Sequence, residues 1–175
     1  MPEAGRAPGR FQAGPHPHGG SVAVRSERGA SLTEISFHTN VPDRLGYTCR
    51  LLRKASRQGA KVVVTAPMAT LRGLDRALWT FEPTEFVAHA VVCAGQAPPA
   101  ALAPTPVWLA EQPEDVGHHD VLVNLGEPLP RGFERFARLI EIVSADDADR
   151  AAARLRWKHY ANRGYTLVQH AVGNA

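Results

Sequence analysis

The sequence predicts an α/β protein, a three-layer α/β/α sandwich around a mostly parallel sheet without a working nucleotide-binding loop. Three observations carry this. Strand-like and helix-like stretches alternate along the chain. KVVVT, residues 61–65, is a continuous β-branched run of the kind found in strands covered on both faces. The stretches after the first two strands, HTNVPDRLG and APMATLRG, contain neither GxGxxG nor a glycine-rich loop ending in GK[ST].

Residues 1–32 are rich in Gly, Pro and Ala with almost no apolar period, and are expected to be a disordered tail. His16 and His18 within it do not make a metal site. The pair His118 and His119 is read in the same way, as solvated. Ordered structure is expected from Thr33. TEISFH alternates as a strand, NVPD reads as a turn, and Asp43 is placed to cap a helix with Leu45, Cys49 and Leu52 on one side and Gly59 as its stop.

After KVVVT, a helix is expected from Pro67 to Trp79 with Leu71, Leu74 and Leu78 inward. FEPTEFVAHAVV then passes through a turn at Pro83 into a short extended run, and residues 94–106 form a small-residue loop. VWLA (107–110) and DVLVNL (120–125) read as strands. GFERFARL reads as a short helix through Phe133, Phe136 and Leu139, IEIV as a strand and YTLVQH as the last one. Residues 33–172 are therefore expected to form one domain.

Between the last two strands, Ser144 to Gly164 reads as a helix with both ends marked. Ser144 and Asp147 resemble a capping box, Asp146, Asp147 and Asp149 complement the helix dipole, and Gly164 supplies a left-handed stop. At about 100° per residue, Ala148, Ala151, Ala152 and Leu155 share a small-residue stripe suited to packing on a sheet. Arg150, Arg154, Trp157, Lys158 and Ala161 fall on a separate face. Arg offers a planar fork for a carboxylate, Lys a point charge, and Trp a wall for a ring or apolar group, so this face fits an acidic, aromatic-ended ligand.

Composition narrows the possibilities. With 44% apolar and 21% charged residues the chain is ordinary for a globular protein, and no apolar run is long enough for a membrane span. A secretory signal is not evident, and a cytoplasmic location is expected. The net charge is +3, of which the first 32 residues supply +2. The remaining +1 is too small for nucleic-acid binding by bulk charge, so any basic function must be local, which points to the last helix. Cys49 and Cys93 lack CxxC spacing and are read as small buried hydrophobes, without a disulfide or a metal. No GxSxG elbow or paired carboxylates propose a reaction, so catalytic residues, metals and cofactors are all expected to be none.

Four segments, TEISFHTNVPDRLGYTCRLLRKASRQGAKVVV, LDRALWTFEPTEFVAH, HHDVLVNLGE and RWKHYANRGY, resemble in order and spacing the chi subunit of bacterial DNA polymerase III, an accessory protein of the clamp-loader assembly. The resemblance covers Thr33 to Val172. It implies a Rossmann-like fold without a nucleotide site, and a non-catalytic adaptor role in DNA replication. One surface would hold the psi subunit, or a substitute partner such as a helicase. Another would capture the acidic C-terminal tail of single-stranded DNA-binding protein.

The family's tail-binding positions carry across to Arg150, Arg154, Trp157 and Lys158, with Trp157 where many relatives have Tyr. The psi-contacting patch carries across to Leu74–His89, with Trp79 and Phe86 as anchors, although an aromatic pair beside a Pro turn is also compatible with core packing. Contact with DNA would be mainly indirect. The family also begins near Thr33, which implies that residues 1–32 are a tail or an overlong start. Two other classes stay open: a direct single-stranded DNA-binding module stacking bases on Trp157, and a degenerate nucleotide-binding enzyme.

Overall fold

Alternation of β-branched runs with amphipathic stretches is resolved, in the computed structural model, into a single parallel sheet. The structure describes residues 32–173. The expected tail, the alternative start and the pair His16 and His18 lie outside them, apart from Leu32, which is exposed. The strands are β1 (Glu34–Val41), β2 (Val62–Thr65), β3 (His89–Val92), β4 (Val107–Ala110), β5 (Val121–Asn124), β6 (Arg138–Ser144) and β7 (Leu167–Ala171). Their order across the sheet is β3-β4-β2-β5-β6-β1-β7, and every pairing is parallel.

Three α-helices are present among the described residues: α1 (Arg44–Arg57), α2 (Met68–Thr80) and α3 (Asp147–Asn162). Alternate residues of each central strand serve opposite faces. Val62, Val64, Ile140 and Ile142 meet Cys49, Leu52, Leu71 and Leu74 of α1 and α2, whereas Ile35, Phe37, Leu122 and Val143 meet Ala153 and Tyr160 of α3. Both faces of β2 are buried, which is why its sequence shows no alternation.

Most expected boundaries agree to within a residue or two. Asp43 caps α1 through Gly46 N–H (3.0 Å), and Gly59 and Gly164 are left-handed, at φ +72° and +82°. Five expectations need correction. β1 does not end at His38 but runs to Val41. His38 pairs with Ile142 and Val41 with Ser144, so Thr39 and Asn40 together oppose Val143, a bulge with Asn40 left-handed at φ 59°. GFERFARL forms one 3-10 turn, Phe133–Arg135, because Leu139 already belongs to β6; Phe133 and Phe136 fill the core beneath α3 without helical periodicity.

The cap of α3 is Asp146, whose carboxylate accepts from Ala148 and Asp149 N–H (2.9 and 3.1 Å); Ser144 closes β6, and its N–H donates to Asp149 (2.7 Å). Cys93 is exposed and only Cys49 is buried. His118 and His119 are half-buried, and His119 packs on Phe136 with ring centres 5.1 Å apart.

Candidate functional site

The face that α3 turns inward is not the small-residue stripe. Ala148, Ala151 and Ala152 are exposed, and Leu155 is 70% exposed. Ala153, Arg156 and Tyr160 pack on the sheet instead, because β6 offers them a fully buried carboxylate, Glu141. Arg156 donates to it through Nε (2.9 Å), Tyr160 through its hydroxyl (2.8 Å), and Asn124 through Nδ2 (3.1 and 3.0 Å). Burial pushes the Glu141 carboxyl above its usual range against the pull of Arg156, and burial followed by Glu141 raises the Tyr160 phenol. These directional bonds fix the rotation of α3 about its axis.

With that rotation set, the next face of the helix overhangs the edge of the sheet. Arg150, Arg154 and Trp157 form one wall of an open pocket of about 430 Å³, together with Ala153. Its floor is Phe37, Thr39, Asn40, Val143 and Gln169 of β1, β6 and β7. The half-buried Trp157 indole lies over Phe37, with ring centres 4.9 Å apart at 56°. The bulge of β1 shapes the floor by turning Thr39 and Asn40 out of register with β6. Gln169 Nε2 donates to Thr39 Oγ1 (3.2 Å).

Arg154 is exposed and has no ion-pair partner among the described residues, whereas Arg150 is bonded to Asp147 one turn back. The pocket thus offers a free planar cation beside an aromatic wall, a pairing that suits a carboxylate attached to an apolar group. Lys158 is exposed one turn beyond Arg154 and does not line the hollow. Sequence reasoning missed the floor residues and Arg156. A buried Arg looks like its exposed neighbours in a run of cations, and Asn40 gave only its tolerance of left-handed backbone as a signal.

Trp79 and Phe86 are each 62% exposed. The structure therefore contradicts the core-packing reading. Their rings lean on each other (5.1 Å, 37°) over His89, whose imidazole is buried between the Val87 carbonyl (2.6 Å) and the Asp75 carboxylate (3.1 Å). Two large apolar rings held out toward solvent by a fixed base suit an interface anchor.

At the carboxyl ends of the strands, where doubly wound sheets take nucleotides at helix starts, each helix start already meets a carboxylate of this chain. Asp43 bonds α1 and Asp146 bonds α3, while Glu111 accepts from Met68 N–H of α2 (3.2 Å). Arg44 spans the crevice to Asp149 (2.9 Å) and lies against Gly126. The N–H groups that a phosphate would use are thus bonded in part by the chain's own carboxylates.

Fold and site define a class: a Rossmann-like sandwich whose helix starts are bonded by carboxylates of its own chain, with a cationic and aromatic hollow beside α3. Residues 32–168 match the family model described as DNA polymerase III chi subunit, HolC. The chain is 37% identical over 147 residues to the DNA polymerase III subunit chi of Pseudomonas aeruginosa, covering 81% of this chain and 98% of that protein. It is 32% identical over 129 residues to the same subunit of Haemophilus influenzae, covering 71% and 85%. The chain belongs to the DNA polymerase III chi-subunit family, whose members are non-catalytic subunits of a replicative polymerase.

Proposed function

We propose that this chain is an adaptor whose α3 pocket captures the acidic C-terminal tail of single-stranded DNA-binding protein. Arg154 meets the terminal carboxylate, Trp157 and Phe37 border the last apolar side chain, and Arg150 and Lys158 attract the acidic residues before it. The observation that carries the reading is the unpaired Arg154 beside the half-buried Trp157 at the mouth of the hollow. On the opposite flank, Trp79 and Phe86 anchor psi, or a substitute such as a helicase. Residues 33–172 act as one domain, and contact with DNA through the pocket is indirect. The place of action in this reading is the cytoplasm; no helix among the described residues is long and apolar enough to cross a membrane.

Titration of the protein with a peptide matching the tail, followed by calorimetry, tests the pocket. Binding should saturate, weaken as salt rises and resist single-stranded oligonucleotide at equal concentration. A tail with its terminal carboxylate amidated should bind at least tenfold more weakly, since a charge-assisted bond contributes about 1.5 to 3 kcal/mol. Equal binding of the amidated peptide, or its displacement by oligonucleotide, would refute the assignment.

A further inference from the structure

The cations of this chain are segregated. α1 carries Arg44, Arg50, Arg53, Lys54 and Arg57 without a carboxylate, and α2 carries Arg72 and Arg76 with Asp75. Because the chain from Thr33 onward is nearly balanced, the rest of it holds a compensating excess of carboxylates. A local basic surface is expected from the sequence on the last helix, yet the larger share of unbalanced cations lies on the α1 and α2 layer, across the sheet from the α3 pocket.

Part of this charge is already used. Arg44 is paired with Asp149, Arg53 with Glu82 and Glu85, and Arg57 with Glu85. Arg50, Lys54, Arg72 and Arg76 are exposed and have no ion-pair partner among the described residues. Each pair is spaced one turn apart, opposite the inward Cys49 and Leu52 of α1 and the inward Leu71, Leu74 and Leu78 of α2. The two helices run the same way. Leu45 lies against Gly73, and Arg53 lies over Phe81 at 5.7 Å. The cations therefore form two parallel rows on helices whose axes, for packed helices, lie roughly 8–10 Å apart.

We propose that this face holds the phosphate backbone of a nucleic-acid duplex, without reading its sequence. A protein partner would need a desolvated apolar centre, whereas the exposed residues of the two rows, Arg50, Lys54, Arg72 and Arg76, are all charged. A single strand would need rings on which to stack. Tyr47 is half-buried with its hydroxyl on His38 (2.7 Å), and Trp79 leans on Phe86 beyond the end of the rows. Arg outnumbers Lys three to one among the four, as phosphate recognition favours. The segregated charge also turns this layer toward any polyanion before contact.

The test is binding of the full chain to a mixed-sequence 20-base-pair duplex as salt is varied. Four phosphates neutralised give a slope of about −3.6 in log K against log salt, roughly a 150-fold loss between 50 and 200 mM. The variant Arg50→Ala, Lys54→Ala, Arg72→Ala, Arg76→Ala should melt as wild type, bind the duplex at least tenfold more weakly at 50 mM and lose most of the slope, while still binding the tail peptide. Replacing the three arginines by lysine should keep the slope. The proposal is overturned if the wild type fails to bind near 10⁻⁴ M at 50 mM salt, the weak end of non-specific affinity. It is also overturned if the alanine variant binds unchanged, if a single-stranded 20-mer binds as tightly as the duplex, or if polyglutamate of equal charge displaces the duplex.

Discussion

Arg154 and Arg156 are two residues apart and should respond to the same substitution in opposite ways. Arg154 is exposed and unpaired, so Arg154→Ala removes at most about 1 kcal/mol of surface electrostatics and adds a better helix former. Its melting temperature should stay within about 4 °C of wild type. Binding of the tail peptide should fall at least tenfold, the equivalent of one charge-assisted bond at about 1.5 kcal/mol or more.

Arg156 is 2% exposed and bonded to a fully buried carboxylate. Removing one partner of a buried ion pair costs about 3 to 5 kcal/mol, and for a chain of this size each kcal/mol is worth about 2–4 °C. Arg156→Ala should therefore lower the melting temperature by roughly 6–20 °C. Differential scanning calorimetry and calorimetric peptide titration on the two variants separate the outcomes. If Arg154→Ala destabilises as much as Arg156→Ala, or binds as wild type does, the division of labour on α3 is wrong.

Phe86→Ala should leave the fold intact, because the ring is mostly in solvent, while weakening copurification with psi or its substitute and sparing tail binding; circular dichroism and pull-down check it. Burial, before any other cause, lowers the pKa of His38 and of His118 from 6.5. Both stay neutral in the folded chain where the unfolded chain takes up a proton, so stability is full above about pH 6.5 and falls as pH drops below it. The melting temperature should decline from pH 7.5 to 5.5, and by less in His118→Gln. Cys93 should react promptly with a thiol reagent in the native protein. Cys49, buried and with its thiol pushed up to about 11, should react only on unfolding.

The sequence was most informative where a single periodicity acts. Strand β2 is covered on both faces and α2 packs through one leucine row, so their residues spell their environment. Asp43, Gly59 and Gly164 marked helix ends because capping is a local transaction between neighbouring residues. Arg150, Arg154 and Trp157 could be grouped by angle alone, and the structure brings them to one wall.

What could not be read depends on partners distant in sequence. Which stripe of α3 faces inward is decided by Glu141, fifteen residues before Arg156, and nothing local distinguishes a cation with a buried partner from one in water. Phe133 and Phe136 mimicked a helix while filling a depression in the core beneath α3. The pocket floor was hidden because Thr39 and Asn40 acquire their role from a bulge against β6, a hundred residues away.

The place of β1 in the sheet has a consequence for biosynthesis. Among the described residues the first strand is inserted between the last two, pairing with β6 and β7 across more than a hundred residues. Parallel pairings of that span are slow, because the chain must close a long loop before any contact rewards it. While α1, β2 and α2 emerge from the ribosome, β1 has neither of its neighbours. The edge that will carry Gln169 and the floor of the pocket does not yet exist. A nascent or truncated chain that lacks β7 exposes the flank of β1 as an unsatisfied strand edge, open to aggregation. The pocket is thus complete only once β7 has paired with β1, so a ligand that needs its whole floor would distinguish chains in which that strand is in place.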